Sequence, residues 1–291
     1  MRVLVIGCGY VGLPLAKELL RLGHHVVGMT RSPENAQALL RQGIQPVIAD
    51  ISQADALAPC SASFDWIVNL VSSSHGGVEA YRSVYLAGTR NLIDWLRPTP
   101  PRLYLAASST SVYAQMDGSR VDESSSTESP AETSRVLIEM EKLLLDAARQ
   151  SRLPAVLLRM AGIYGPGRIH LIEQFFRSPA DANAAPNTLV NMIHLDDVIG
   201  AILSTFANGR PGQVYNVVDD EPTPRDEIFA WLAQRRQREL TPPVGNAADS
   251  RRTRPQTNKR VLNHKLKTEL GYRLQYPTFR EGFNSLLPPT D

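Results

Sequence analysis

Three glycines near the head of the chain, Gly7, Gly9 and Gly12, follow the apolar run Val3-Leu4-Val5-Ile6 and precede a helical pattern that starts at Leu13. Strand, G-x-G-x-x-G turn and helix, in that order, make a cradle for a dinucleotide pyrophosphate. The first glycine permits the tight turn, the second lets backbone approach the phosphates, and the third lets helix and strand pack closely. The helix N-terminus adds unpaired N–H groups and a partial positive charge. Tyr10 and Val11 complete the loop as cofactor-binding candidates, and Cys8 is a small packing residue within it. The alternative is a glycine-rich turn that binds nothing.

Cofactor type is decided after the second strand, Val26 to Met29, where the chain reads Thr30-Arg31-Ser32. An NAD site wants a carboxylate here for the ribose 2′-hydroxyl, whereas a guanidinium flanked by hydroxyls suits a 2′-phosphate. The expectation is NADP(H), with NAD left open if Arg31 is a solvated loop residue. Asp50, after a third strand at Gln45 to Ile48, is placed at the adenine edge, or else caps the segment that follows. Leu70, Val71 and Ser72 close the fourth strand, Ala107 the fifth, and Ile163 follows the sixth, all on the ligand-binding edge of a parallel sheet. His75 is of the side-chain type suited to acid/base work near neutral pH, but on a small-residue loop it reads as an incidental polar residue.

The elements that must hold these residues alternate, strand then helix, which predicts an α/β fold: a Rossmann-type doubly wound parallel sheet with a smaller C-terminal α/β lobe. Residues 1–163, with 190–214 returning to them, form the expected dinucleotide-binding domain; 164–189 and 215–291 form the substrate-binding lobe. A helix is expected from Val78 to Leu96, and a mobile surface loop from Ala114 to Glu132. The 291 residues are 43% hydrophobic and 21% charged, enough for a substantial core. A net charge of +2 argues against nucleic-acid binding. The two cysteines, Cys8 and Cys60, have neither disulfide-framework nor metal-ligand spacing. No leader pattern and no bilayer-length apolar run are present, so a cytoplasmic protein without membrane or metal partners is expected, as monomer or homodimer.

Further landmarks are Gly88-Thr89-x-Asn91-Leu92, Ser108 to Tyr113, Arg159 through Tyr164-Gly165-Pro166-Gly167-Arg168, Ile193-His194-Leu195-Asp196-Asp197 and Tyr215-Asn216-Val217. With the glycine loop, in this order and spacing, they resemble the extended short-chain dehydrogenase/reductase superfamily, also called the NAD-dependent epimerase/dehydratase family. The likeness covers nearly the whole chain and is nearest to an atypical bacterial, YeeZ-like subgroup. It implies reversible hydride transfer at a hydroxyl or carbonyl carbon of a small or nucleotide-linked substrate, sometimes as one stage of epimerisation or dehydration. It also implies a Ser/Thr, a Tyr acid/base and a Lys four residues beyond that Tyr.

Ser109 matches the serine. Aligned on Glu141, Thr133 stands at the tyrosine position and Leu137 at the lysine, and no Tyr-x-x-x-Lys occurs in the region. Two readings follow. One is an oxidoreductase, epimerase or dehydratase with displaced chemistry, with Ser109, Tyr113 and Thr133 as catalytic candidates and Tyr164 and Tyr85 behind them. The other is a non-catalytic NADP(H)-binding redox sensor or regulatory protein. His194-x-Asp196-Asp197 reads as a helix cap by an aspartate rather than a metal cluster. Arg251, Arg252, Arg254, Lys259 and Arg260 could grip an anionic substrate, with a solvated linker as the default reading.

Overall fold

Val3, Leu4, Val5 and Ile6 are each at most 1% exposed, the mark of a strand covered on both faces of a parallel sheet. The computed structural model describes residues 1–61, 63–73, 77–150, 152–177, 188–235 and 258–288. In chain order the first half holds β1 (Arg2–Ile6), α1 (Gly12–Arg21), β2 (His25–Thr30), α2 (Pro33–Arg41), β3 (Gln45–Ile48), α3 (Ala54–Leu57), β4 (Trp66–Asn69) and α4 (Gly77–Tyr81). A π-helical segment (Arg82–Ala87), α5 (Gly88–Leu96), β5 (Leu103–Ser109), β6 (Arg120–Val121), α6 (Glu132–Arg149) and β7 (Ala155–Met160) follow. The second half holds β8 (Gly162–Tyr164), α7 (His170–Arg177), β9 (Leu189–Val190), β10 (Met192–His194), α8 (Leu195–Asn208) and β11 (Val214–Val217). It ends with β12 (Thr223–Pro224), α9 (Arg225–Arg235), β13 (Arg260–Val261), α10 (His264–Leu270) and α11 (Phe279–Leu286).

Seven strands pair in the order β11-β7-β5-β4-β1-β2-β3, and all the pairs are parallel. This is the α/β, Rossmann-type sheet that the alternating pattern predicts. The order reverses between β1 and β4, so the crevice beyond their carboxyl ends is the switch point where such sheets bind ligands. A second apolar cluster, with Tyr164, Phe175, Phe229, Phe279 and Phe283 at its heart, lies outside the main core and organises β8, α7, α9 and α11. Among its rings, Phe175 and Phe229 meet edge-on at 5.7 Å, and Phe279 and Phe283 at 5.6 Å.

Both outer strands carry a feature that interrupts their free edge. Pro46 sits within β3 and has no N–H to donate. On β11, the Glu123 carboxylate accepts the Asn216 N–H at 2.7 Å, and Lys265 donates to the Val214 carbonyl at 2.9 Å.

The helix expected from Val78 to Leu96 is present as a continuous helical run from Gly77 to Leu96, with Arg82–Ala87 wound as a π-helix; apolar spacing over so few residues does not separate i→i+5 from i→i+4 bonding. One expectation needs correction: the stretch Ala114 to Glu132 is not a free surface loop. Its β6 pairs in parallel with β13, and Val121 is 2% exposed. On the other edge of the sheet β11 pairs with β7 through Val214–Leu157 to Val217–Met160, and α10 packs on β11 and α8.

Candidate functional site

The glycine loop follows β1 directly. Gly7 has φ +90° and donates its N–H to Met29 O at 3.1 Å; a Cβ there would sit 2.8 Å from Val71 N. A Cβ on Gly12 would overlap the Gly7 carbonyl oxygen, whereas one on Gly9 would meet nothing within 4 Å. Two glycines are therefore demanded by the fold, and the middle one leaves an open face on the loop. That face fits the close approach of a phosphate to backbone. Cys8 packs beneath the loop, its sulfur 2.9 Å from where a Gly28 Cβ would lie, and burial pushes its thiol up to about 12. It is an inert filler. Val11 is the residue before α1, and Leu15 N donates to its carbonyl at 3.1 Å.

The other cofactor candidates lie around the same sheet edge. Thr30 ends β2, and Arg31 reaches Asp50 at 3.9 Å with its side chain 71% exposed. Asp50 also accepts from Ser52 N and Oγ at 2.9 and 2.8 Å, so it shapes its own turn. Ser32 caps α2, accepting from Asn35 N at 3.1 Å. Leu70 donates its N–H to Ile6 O at 2.8 Å, Val71 lies against Gly7, and Ser72 beyond them is exposed. Ala107 lies near the end of β5, and Ile163 sits in β8 opposite Ile193. His75 lies outside the described residues.

Ser109 ends β5 half-buried, its Oγ accepting from Ser111 N at 3.1 Å. Thr133 is half-buried on the first turn of α6, while Leu137, one turn on, is 5% exposed and belongs to the main core. Tyr113 is fully buried, donates to Asn216 Oδ1 at 2.8 Å and accepts from Arg159 Nη1 at 2.8 Å. Burial pushes its phenol up while Arg159 pulls it back. The structure thus does not bring its hydroxyl to the open edge beside Ser109; both its proton and an acceptor site are engaged inside the core. The Tyr164 hydroxyl is likewise buried, without a hydrogen-bond partner, and its phenol is raised by burial.

Sequence reasoning used Glu141 only as an alignment mark. It forms a buried pair with Arg159, at 2.7 Å from Nη2 and 3.0 Å from Nε, and accepts from Ser108 Oγ at 2.6 Å. The side chains of Arg159 and Glu141 are 6% and 4% exposed. Through Tyr113 and Asn216 this knot ties β5, α6, β7 and β11 together behind the site. The available signal was an arginine inside the otherwise apolar strand Ala155–Met160.

Lys259 overturns the solvated-linker reading. It is 3% exposed, its Nζ donates to the Tyr113 carbonyl at 2.7 Å, and burial pushes its amine down to about 8. Its neighbours are pinned: Asn258 N donates to Gln115 O at 3.0 Å and Arg260 N to Ser119 O at 2.8 Å. Arg251, Arg252 and Arg254 lie outside the described residues. At the other motif, the cap of α8 is His194 rather than an aspartate, Nδ1 accepting from Asp196 N at 3.2 Å. Asp196 and Asp197 already lie inside the first turn. Asp197 instead accepts from Tyr272 Oη, Gln275 N and Tyr276 N at 2.7–3.0 Å. Among the described residues no cluster has metal-binding character, and no helix is long and apolar enough to cross a membrane.

Residues 3–218 match the family model described as NAD dependent epimerase/dehydratase family. Protein YeeZ of Escherichia coli K12 is 29% identical over 286 residues, covering 95% of this chain and 96% of YeeZ. A functionally unknown conserved protein from Silicibacter pomeroyi DSS superposes with TM-score 0.74 at 28% identity, over 98% of this chain and 97% of that one. A dTDP-glucose 4,6-dehydratase from Streptomyces venezuelae, DesIV, solved with NAD bound, gives TM-score 0.82 at 20% identity, over 97% and 94% of the two chains. At that identity the likeness speaks for the fold.

Proposed function

Because the chain belongs to the NAD dependent epimerase/dehydratase family, we propose that it binds NADP(H) and transfers hydride at a hydroxyl or carbonyl carbon of a small or nucleotide-linked substrate. The observation that carries this reading is the open face at Gly9, flanked by two glycines whose missing Cβ atoms the fold itself requires. Gly7 to Gly12 and the start of α1 hold the pyrophosphate, and Arg31 meets the 2′-phosphate in exchange for its long contact to Asp50. Bound there, the nicotinamide supplies or accepts the hydride. The Ser109 hydroxyl, already accepting from Ser111 N, would donate a hydrogen bond to the substrate oxygen and polarise it. Lys259 is buried with its Nζ on the Tyr113 carbonyl and pins the C-terminal segment.

Two measurements follow. The first, NADPH oxidation with a panel of ketones and nucleotide-linked keto sugars, tests this reading. Turnover with at least one is expected, and Arg31→Ala should shift preference from NADP(H) toward NAD(H) by about tenfold. NADPH binding without exchange on any carbonyl would favour the sensor reading, for which the buried Leu137 at the lysine position speaks.

The second concerns Lys259. Its folded pKa of about 8 lies below the ordinary 10.5, so between those values the unfolded chain binds the extra proton and stability rises with pH. Lys259→Met abolishes that rise. The gap in melting temperature between variant and parent should therefore move in the parent's favour from about pH 7 to about pH 10. A gap that stays constant would mean that the amine titrates as in water.

A further inference from the structure

The turn that leaves β8 lies against the glycine loop. Gly165 and Arg168 close it on each other, Arg168 N donating to Gly165 O at 2.9 Å and Gly165 N to Arg168 O at 3.2 Å. Gly167 in its middle has φ +76°, a left-handed conformation that favours glycine. A Cβ on Gly165 would lie 3.0 Å from the Tyr10 hydroxyl and 2.9 Å from Leu195 Cβ. The turn is therefore fitted to the side chain of Tyr10, the residue next to the open Gly9. Among the described residues the buried Tyr10 hydroxyl has no hydrogen-bond partner, so contacts of the ring itself set its position.

Over that ring sits Arg168, its guanidinium carbon 4.2 Å from the centroid. Asp196 is the acidic group whose charge also reaches Tyr10, yet among the described residues no carboxylate forms an ion pair with Arg168. Stacking engages only the face of a guanidinium. Its N–H groups lie in the plane and remain free to grip a phosphate in bidentate fashion. A half-exposed cation held by a weak contact beside a phosphate cradle is placed to do so.

We infer that Arg168, carried on the turn from β8, clamps the pyrophosphate of the bound dinucleotide from the side opposite α1, using Tyr10 as its resting platform. The inference rests on the dinucleotide reading given above. Because the pyrophosphate is common to both nicotinamide cofactors, the clamp acts on NADP and NAD alike, unlike Arg31.

Isothermal titration of the full chain with NADP+, NAD+ and adenosine 2′-monophosphate, which has no 5′-phosphate, tests it. Arg168→Ala should weaken both dinucleotides equally, by about tenfold, and flatten the dependence of their Kd on salt, while the monophosphate binds as before. Arg168→Lys should recover part of the loss. Dinucleotide affinities unchanged in Arg168→Ala overturn the clamp, and so does an equal loss for the monophosphate, which would place the effect in the turn's structure. If the parent protein itself binds neither dinucleotide, the cofactor reading falls and the clamp with it.

Discussion

Glu141→Gln should unfold the protein more easily than its parent by about 3–5 kcal/mol in chemical denaturation. The side chain keeps its shape but leaves the Arg159 guanidinium as a buried cation with no counter-charge. Of a total stability of about 5–15 kcal/mol for an ordinary domain, that is a large share. The loss comes from the orphaned charge rather than from the pair's own net worth. The double variant Glu141→Leu with Arg159→Met should therefore recover most of it, since apolar replacement of a whole buried pair is often neutral. Recovery will be incomplete, because Tyr113 Oη loses its Arg159 donor and Ser108 Oγ loses its Glu141 acceptor as well. A single-variant loss below about 1 kcal/mol would mean that water reaches the knot.

Gly9→Ala and Gly12→Ala should part company. At Gly12 the added methyl overlaps the Gly7 carbonyl oxygen, and backbone cannot swing aside as a side chain can. A cost of about 3 kcal/mol or more in stability is expected, with dinucleotide binding lost. At Gly9 the methyl meets nothing within 4 Å, so stability should stay within about 1 kcal/mol of the parent. Dinucleotide affinity should nevertheless fall at least tenfold, because the methyl stands where the phosphates approach. Denaturation and titration on the two variants check this together. A Gly9→Ala protein that binds as tightly as its parent would show that the phosphates lie elsewhere.

What could be read from the sequence was local. Strand, glycine turn and helix lie within the first two dozen residues, and each is set by neighbours a few positions away. The strands at Gln45–Ile48 and Ala155–Met160 are found where the apolar runs put them. The cofactor candidates follow from those strands, since each sits at a strand's carboxyl end. The remainder depends on partners far along the chain. Val121 is buried because β13 arrives about 140 residues later. Lys259 reads as part of a basic linker until the Tyr113 carbonyl, 146 positions before it, accepts a hydrogen bond from its Nζ. Tyr113 itself looked available for chemistry because a sequence does not reveal that Arg159 and Asn216 enclose it. The pattern Thr133 and Leu137 was legible as a missing pair.

The guarded outer strands bear on how copies of this chain can meet. A second molecule that sought to lengthen the sheet at β11 would have to displace the Glu123 carboxylate and the Lys265 ammonium from the backbone groups they satisfy. At β3 it would find Pro46 in the row of donors it needs. Strand-to-strand addition, the common route to both extended dimers and fibrous aggregates, is thus obstructed at either end. Self-association by lengthening the main sheet is therefore disfavoured at both of its edges for as long as these two strands stay formed.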